Sequence, residues 1–252
     1  MTASWETKAK AFAALHVPGD PLILYNVWDA GSAAIVAEAG AKAIATGSWS
    51  VAAAHGAPDG EKLPLDLVVA NCERIAGAVE LPVTIDLEGG YDDPAASAAR
   101  VRRAGAVGCN LEDRIVGGDG LYPAERQAAR LAAVRDAAGP GFFINARIDL
   151  FLQARPEAHD EALVDRALER GRLYAGAGAS GLFLPGLADE RLIARACAAA
   201  PLPINIIASG GTPPLRRLAE LGVARISHAA APWRAAMKAL ADAARRAHDM
   251  ED

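Results

Sequence analysis

The feature that most restricts this chain is a recurrence: eight short runs of apolar, β-favouring residues, separated by longer stretches of helical periodicity. The runs are LILYNV (22–27), AIAT (43–46), VTID (83–86), GCNLE (108–112), FFINAR (142–147), GLFLP (181–185), INIIA (204–208) and ARIS (224–227). Between them lie segments such as LDLVVANCERIAGAV and DEALVDRALERGRLYAGA. Several of these close on a glycine just before the next strand, at Ala39-Gly40-Ala41, Ala104-Gly105-Ala106, Ala175-Gly176-Ala177 and Leu221-Gly222-Val223. A glycine after a helix takes the left-handed cap that turns the chain back. Strand-then-helix order, repeated eight times in 252 residues, predicts one (β/α)8 TIM barrel domain over residues 1–252. The first residues, MTASWETKAKAFAALHV, predict a short N-terminal amphipathic helix. A doubly wound open sheet is the alternative, but the first strand–helix turn, NVWDAGS, lacks the spaced glycines of a dinucleotide site.

Composition narrows the function. With 52% of residues hydrophobic the chain has ample core, and a net charge of -5 without a basic stripe argues against a nucleic-acid partner. No segment is long and apolar enough for a bilayer, and the N-terminus lacks the pattern of a signal peptide. Cys72, Cys109 and Cys197 are odd in number and unrelated in spacing, which suits a reducing, cytoplasmic location.

In a barrel the C-terminal ends of the strands carry the chemistry. Polar residues collect there: Asn26 and Asp29, Thr46, Ser48 and Trp49, Asp86 and Glu88, Asn110, Glu112 and Asp113, Asn145, Arg147 and Asp149, Asn205, Ser227 and His228. Asp86 and Glu88 sit two apart in TIDLEGGYDD, so strand alternation points both to one side, where like charges need a positive partner. Asp59, Asp86, Glu88 and Glu112 come from successive units at one rim. Oxygen-only donors of this kind suit a hard divalent cation, Mg2+ or Mn2+, often through waters. The competing reading is solvated loop acids and helix caps; Asp29 and Asp93 both suit caps. Arg147, at the end of an apolar run, needs a bidentate partner, either Glu112 or a substrate carboxylate.

These residues, from Leu22 to Trp233, resemble the isocitrate lyase/phosphoenolpyruvate mutase superfamily. The matching pieces, in order, are NVWDAGS, TGSWSVAAAHGAPDG, DLEGGY, NLED and ARID. The resemblance implies a (β/α)8 barrel, commonly a homodimer or homotetramer whose last helix is swapped onto a neighbouring subunit. It implies a Mg2+-dependent enzyme that binds a small anionic 2-oxo acid and makes or breaks a bond at C3. Carried over by motif, Asp86 is a metal ligand, with Glu88, Glu112 and Asp59 binding the ion directly or through water. Trp28, Thr46, Gly47, Ser48, Trp49, Arg147 and Asn205 are substrate-binding residues, and Arg147, Asp59 and Glu112 are the catalytic group.

Two departures stand out. The family's Asp-x-Asp pair is Asp86-x-Glu88 here. The loop after strand four, RIVGGDGLYP (114–123), has neither the cysteine of the lyases nor the lysine of the mutases. The expected activity is therefore a lyase on a 2-oxo (di)carboxylic acid through a metal-stabilised enolate, such as oxaloacetate decarboxylation or C–C cleavage of a 2-hydroxy acid. The second of these needs an acid such as Tyr122 or a water. A C–P mutase or hydrolase of the phosphonopyruvate type, or a binding protein without turnover, is the alternative.

Overall fold

The structure is a computed structural model that describes residues 3–249. Eight parallel strands, β1 (Leu22–Leu24), β2 (Ile44–Ala45), β3 (Val83–Asp86), β4 (Gly108–Glu112), β5 (Phe143–Arg147), β6 (Gly181–Phe183), β7 (Ile204–Ile207) and β8 (Arg225–Ser227), form one sheet. From β2 to β8 each strand pairs with its sequence neighbour, β1 pairs with β8, and an isolated parallel bridge between Val27 and Thr46, just past the ends of β1 and β2, nearly closes the ring. The (β/α)8 barrel read from the sequence is the fold observed. The strand ends differ in detail. β1 ends at Leu24 rather than Val27, and β6 ends at Phe183 before Pro185, which cannot continue a ladder.

The helices are α1 (Trp5–Ala14), α2 (Ala30–Glu38), α3 (Ser48–Ala54), α4 (Leu65–Ala78), α5 (Pro94–Arg103), α6 (Ala124–Ala138), α7 (Leu150–Gln153), α8 (Glu161–Gly176), α9 (Glu190–Ala199), α10 (Leu215–Glu220) and α11 (Ala231–Asp249). Gly40, Gly105 and Gly222 have φ of 94°, 104° and 91°, as the cap reading requires. After α8 the left-handed residue is Gly178 at 93°, because Gly176 is still helical. Asp29 forms a capping box with Ser32, and the Asp93 carboxylate accepts from the amides of Ala95 and Ala96.

The N-terminal helix α1 closes the N-terminal end of the barrel. Trp5 Nε1 donates to the Ala106 carbonyl at 2.9 Å, Phe12 meets Phe143 edge-on at 5.3 Å, and His16 stacks on Phe143 at 4.0 Å. Above this plug lies a buried polar layer. Asn145 Nδ2 donates to Asn110 Oδ1 (2.9 Å) and Asn205 Oδ1 (3.1 Å), and Arg225 Nη2 donates to Asn110 Oδ1 (3.2 Å). With one end plugged and the middle filled, the open surface is left at the C-terminal ends. No helix among the described residues is long and apolar enough to cross a membrane.

Candidate active site

Glu112 and Arg147 are opposite each other in the register of β4 and β5, so their side chains enter the mouth together. Arg147 Nη1 lies 2.6 Å from Glu112 Oε2, and its Nε and Nη2 grip Asp149 Oδ1 and Oδ2 at 2.6 and 2.8 Å. Both partners are nearly inaccessible, Glu112 at 5% and Asp149 at 0%. Burial opposes the Arg147 charge, but the two carboxylates outweigh it and hold its proton above the ordinary range. Burial pushes Glu112 upward; Arg147 pulls it back, and Asp149, Asp86 and Glu88 push it up again. The bidentate partner of Arg147 is thus Asp149, and Glu112 is a second acid on the same guanidinium.

The pair Asp86 and Glu88 does not keep strand alternation. β3 ends at Asp86, and Glu88 takes a left-handed φ of 52°, which turns its carboxylate away along the rim. There Glu88 Oε2 accepts from the amides of Gly60 and Glu61, both at 2.8 Å, fastening the loop that carries Asp59. Asp86 accepts from the Ser48 amide at 3.2 Å and from the Glu88 amide at 3.4 Å. Thr46 Oγ1 accepts from the Asp86 amide at 3.0 Å, fixing the strand end. Backbone N–H groups therefore supply part of the positive charge that the two acids need.

Ser48, Asp59, Glu88, Glu112 and Arg147 line one cavity of about 210 Å³, together with Gly60 and with Arg114, Val116 and Gly117 of the following loop. That loop is a short hairpin: Arg114 bridges Leu121, and the Ile115 amide donates to the Gly120 carbonyl. Asp86 borders an adjoining recess with Thr46, Ser48 and Glu88. Burial, then Asp59 and Asp86, push Glu88 up to about 7 against its two amide donors. Burial and Asp86 raise Asp59, while Ser48 and Gly60 oppose the shift.

Three expected substrate contacts lie elsewhere. Trp28 borders an outer groove with Ile35 and Pro232, Trp49 packs edge-on against Trp233 at 5.2 Å, and Asn205 is buried in the interior layer with its amide on Ile206, Arg225 and Ser227. Gly47 caps α3 and directs the Ser48 amide into the site. Tyr122 has its ring beneath the Arg130 guanidinium at 4.3 Å and is not part of the cavity wall. Two of the strand-end acids serve as supports, through partners that the sequence does not signal. Asp149, two residues beyond Arg147, is the first. The second is Asp113, whose carboxylate accepts from Arg170, Tyr174 and the Asp149 amide.

Among the described residues, no three acidic, histidine or cysteine side chains converge closely enough to ligate an ion directly. The donor set still fits a hard dication that keeps most of its waters: it is all oxygen, and Asp59, Glu88 and Glu112 are raised by burial and by one another, a repulsion that a cation relieves.

Two predictions arise here. A carboxyl whose folded pKa is raised stabilises the fold below its unfolded pKa, and loses that contribution as pH rises through the folded value. Between pH 4.5 and about 7, Glu88 should therefore cost the metal-free protein about 3 kcal/mol. Glu88→Gln, which keeps an acceptor for both amides, should flatten this slope in melting curves; an unchanged slope assigns the pH dependence elsewhere. The second concerns sulfur. Burial pushes Cys72, Cys109 and Cys197 up to about 12, and none lines the cavity. Replacing all three by Ala or Ser should leave the specific activity of folded protein within about threefold, whereas a catalytic thiol would lose about 10²-fold or more.

The profile of the phosphoenolpyruvate phosphomutase family matches residues 12–248. A crystal structure of a candidate phosphonomutase from Burkholderia cenocepacia J2315 is 50% identical, with a TM-score of 0.94 over 97% of this chain and 100% of that one. An oxaloacetate decarboxylase from Ectopseudomonas mendocina is 30% identical over 96% of this chain and 85% of its own length. A 2-methylisocitrate lyase from Escherichia coli K12 is 30% identical over 83% of this chain and 73% of its own. A barrel with acids from β2, β3 and β4 facing an arginine from β5, matched from end to end by this profile, identifies the chain as a member of the phosphoenolpyruvate phosphomutase family, within the isocitrate lyase/PEP mutase superfamily of lyases and mutases.

Proposed function

We propose that the protein is a Mg2+-dependent lyase of small 2-oxo dicarboxylic acids, with decarboxylation of an oxaloacetate-like substrate as its reaction; Mn2+ is the expected substitute ion. The observation that carries this reading is the cavity itself. At about 210 Å³ it falls below the roughly 300–1,000 Å³ of sites for drug-sized ligands, so it suits an acid of a few carbons. Its wall, among the described residues, offers acids and arginines but no thiol, lysine or tyrosine. Decarboxylation at C3 needs an electron sink at the 2-oxo group and no side-chain acid to expel carbon dioxide. C–C cleavage of a 2-hydroxy acid needs a base and an acid, and Tyr122 is turned away from the cavity.

Bound at the rim, Mg2+ supplies that electron sink. Asp86, with Asp59, Glu88 and Glu112 around it, would hold the ion through its waters. The Ser48 amide, already aimed at Asp86, is placed to donate to a ligand oxygen beside it. Arg147 keeps Glu112 and Asp149 fixed and turns its remaining N–H edge to the substrate carboxylate. The hairpin over 114–121 covers the cavity and limits water.

The partner expected besides substrate is a second copy of the chain. Leu240 on α11 is 62% exposed, and α11 meets its own barrel mainly near Trp233, so a homodimer or homotetramer covers the helix. Light scattering tests that part.

The functional test is a panel of oxaloacetate, 2-methylisocitrate, 2,3-dimethylmalate and phosphonopyruvate, with and without Mg2+, with product detection. Mg2+-dependent pyruvate and carbon dioxide from oxaloacetate is the expected result. Turnover confined to phosphonopyruvate would replace the reading with a C–P reaction, and thermal stabilisation without product would make the protein a binder.

A further inference from the structure

The cavity wall carries two cations among the described residues, and they differ in what they have left to give. Arg147 is already bonded to Asp149 through Nε and Nη2 and to Glu112 through Nη1. Its charge is already outweighed by these two carboxylates, so beyond the N–H edge it turns to the C1 carboxylate it has no charge left for a second anionic group. Arg114 lines the same cavity, is exposed, and has no acid among the described residues within salt-bridge reach.

Arg114 is also held in place at its root. It follows Asp113, which is 0% exposed and tied to Arg170 Nη1 (2.9 Å), Tyr174 Oη (2.9 Å) and the Asp149 amide (2.9 Å). From that anchor the chain enters the hairpin, where Arg114 pairs with Leu121. Val116 packs so closely over Gly89 that a Cβ there would lie 2.9 Å from its Cγ2. The hairpin therefore sits down on the turn after β3, with the arginine at its base facing the acids.

A dication held at the rim by Asp86 and its neighbours would offset the charge of about two carboxylates and would supply the positive charge for the 2-oxo end of a substrate. A second anionic group, on C3, would then meet Asp59, Glu88 and Glu112, and among the described residues of the wall Arg114 is the cation left to receive it. We infer that Arg114 binds this second anionic group and selects a 2-oxo diacid over a 2-oxo monoacid such as pyruvate; the inference rests on the 2-oxo acid reading above. A guanidinium grips either a carboxylate or a phosphonate bidentately, so both sources of the charge share this chemistry.

The test compares wild type, Arg114→Gln and Arg114→Lys, each with Mg2+, for binding of pyruvate, 3,3-difluoro-oxaloacetate and phosphonopyruvate by calorimetry. Arg114→Gln should bind the diacid of the protein's own class about ten- to hundred-fold more weakly and pyruvate within about twofold of wild type. Arg114→Lys, a point charge in place of the fork, should recover part of the loss. The diacid that suffers the loss identifies the group read, carboxylate or phosphonate. Unchanged diacid binding by Arg114→Gln, in a protein whose wild type binds diacids, overturns the role of Arg114 and leaves the lyase reading standing. A wild type that binds none of the three ligands with Mg2+ overturns the 2-oxo acid reading and this inference with it. Melting curves should coincide for all three proteins, because the side chain is exposed.

Discussion

Asp86→Ala should abolish divalent-metal binding and reduce turnover by roughly a thousand-fold or more, while the barrel still folds. Asp86 ends β3 at the rim, and its side chain accepts only from the Ser48 and Glu88 amides, so removing it leaves core packing untouched. Both amides lie at the open end of the barrel, where water replaces a lost acceptor at a cost of about 1 kcal/mol. The functional loss is larger because a Lewis acid supplies several kcal/mol of transition-state stabilisation, and each 1.36 kcal/mol is tenfold in rate. Glu88 cannot take over: its Oε2 is engaged by the amides of Gly60 and Glu61. Calorimetric Mg2+ titration of the folded variant checks this, and wild-type affinity there would remove Asp86 from the metal site.

The largest effect on stability should come from Arg147. Arg147→Met leaves Glu112 and Asp149 as buried acids without a counter-charge, and breaking a buried ion pair in this way costs about 3–5 kcal/mol. For a chain of this size that lowers the melting temperature by roughly 6–20 °C. Arg147→Lys is the more informative variant. A lysine keeps the charge but cannot hold the two oxygens of Asp149 and also reach Glu112, so one acid loses its partner. Its melting temperature should fall by part of that range. Oxalate binding with Mg2+ should weaken about ten- to hundred-fold, because the N–H edge that faces the substrate is gone and Glu112 is released. Metal affinity should change much less. A lower melting temperature with intact oxalate binding would make Arg147 a structural brace only, and an unchanged melting temperature would contradict the ion-pair geometry.

How far the sequence could be read depended on what each residue answers to. β3 and β4 coincide with VTID and GCNLE residue for residue, since each is a short apolar run bounded by turn-forming residues or by charge. Where the boundary depends on how the chain leaves the barrel, it was not legible: LILYNV is strand only to Leu24, and the cap after α8 is Gly178 rather than Gly176. Glu112 and Arg147 reach the cavity because they end β4 and β5, while Asp59 and Glu88 arrive on the loops beyond α3 and β3. Trp28, Trp49 and Asn205 show the limit of that rule. Trp28 and Trp49 lie past strand ends, where alternation no longer fixes direction: Trp28 borders a different groove and Trp49 packs on Trp233. Asn205 points inward but lies one layer too deep. The left-handed turn at Glu88 came before Gly89-Gly90 and had no signal of its own, since φ above zero is uncommon for glutamate. Asp149 can be read at the strand end in the sequence, but its pairing cannot: two residues after an arginine, it is near enough to chelate it.

The proposed function requires the acidic rim to hold a hard dication and, through it, a small 2-oxo acid. Oxalate, which has the two adjacent oxygens of such an acid in planar form, tests this most directly by calorimetry on wild-type protein with saturating Mg2+ and again after chelation. Saturable oxalate binding is expected with Mg2+, with at least about a hundred-fold loss without it. Equal affinity in the two conditions would contradict it, and would leave the arginines alone as the anion site.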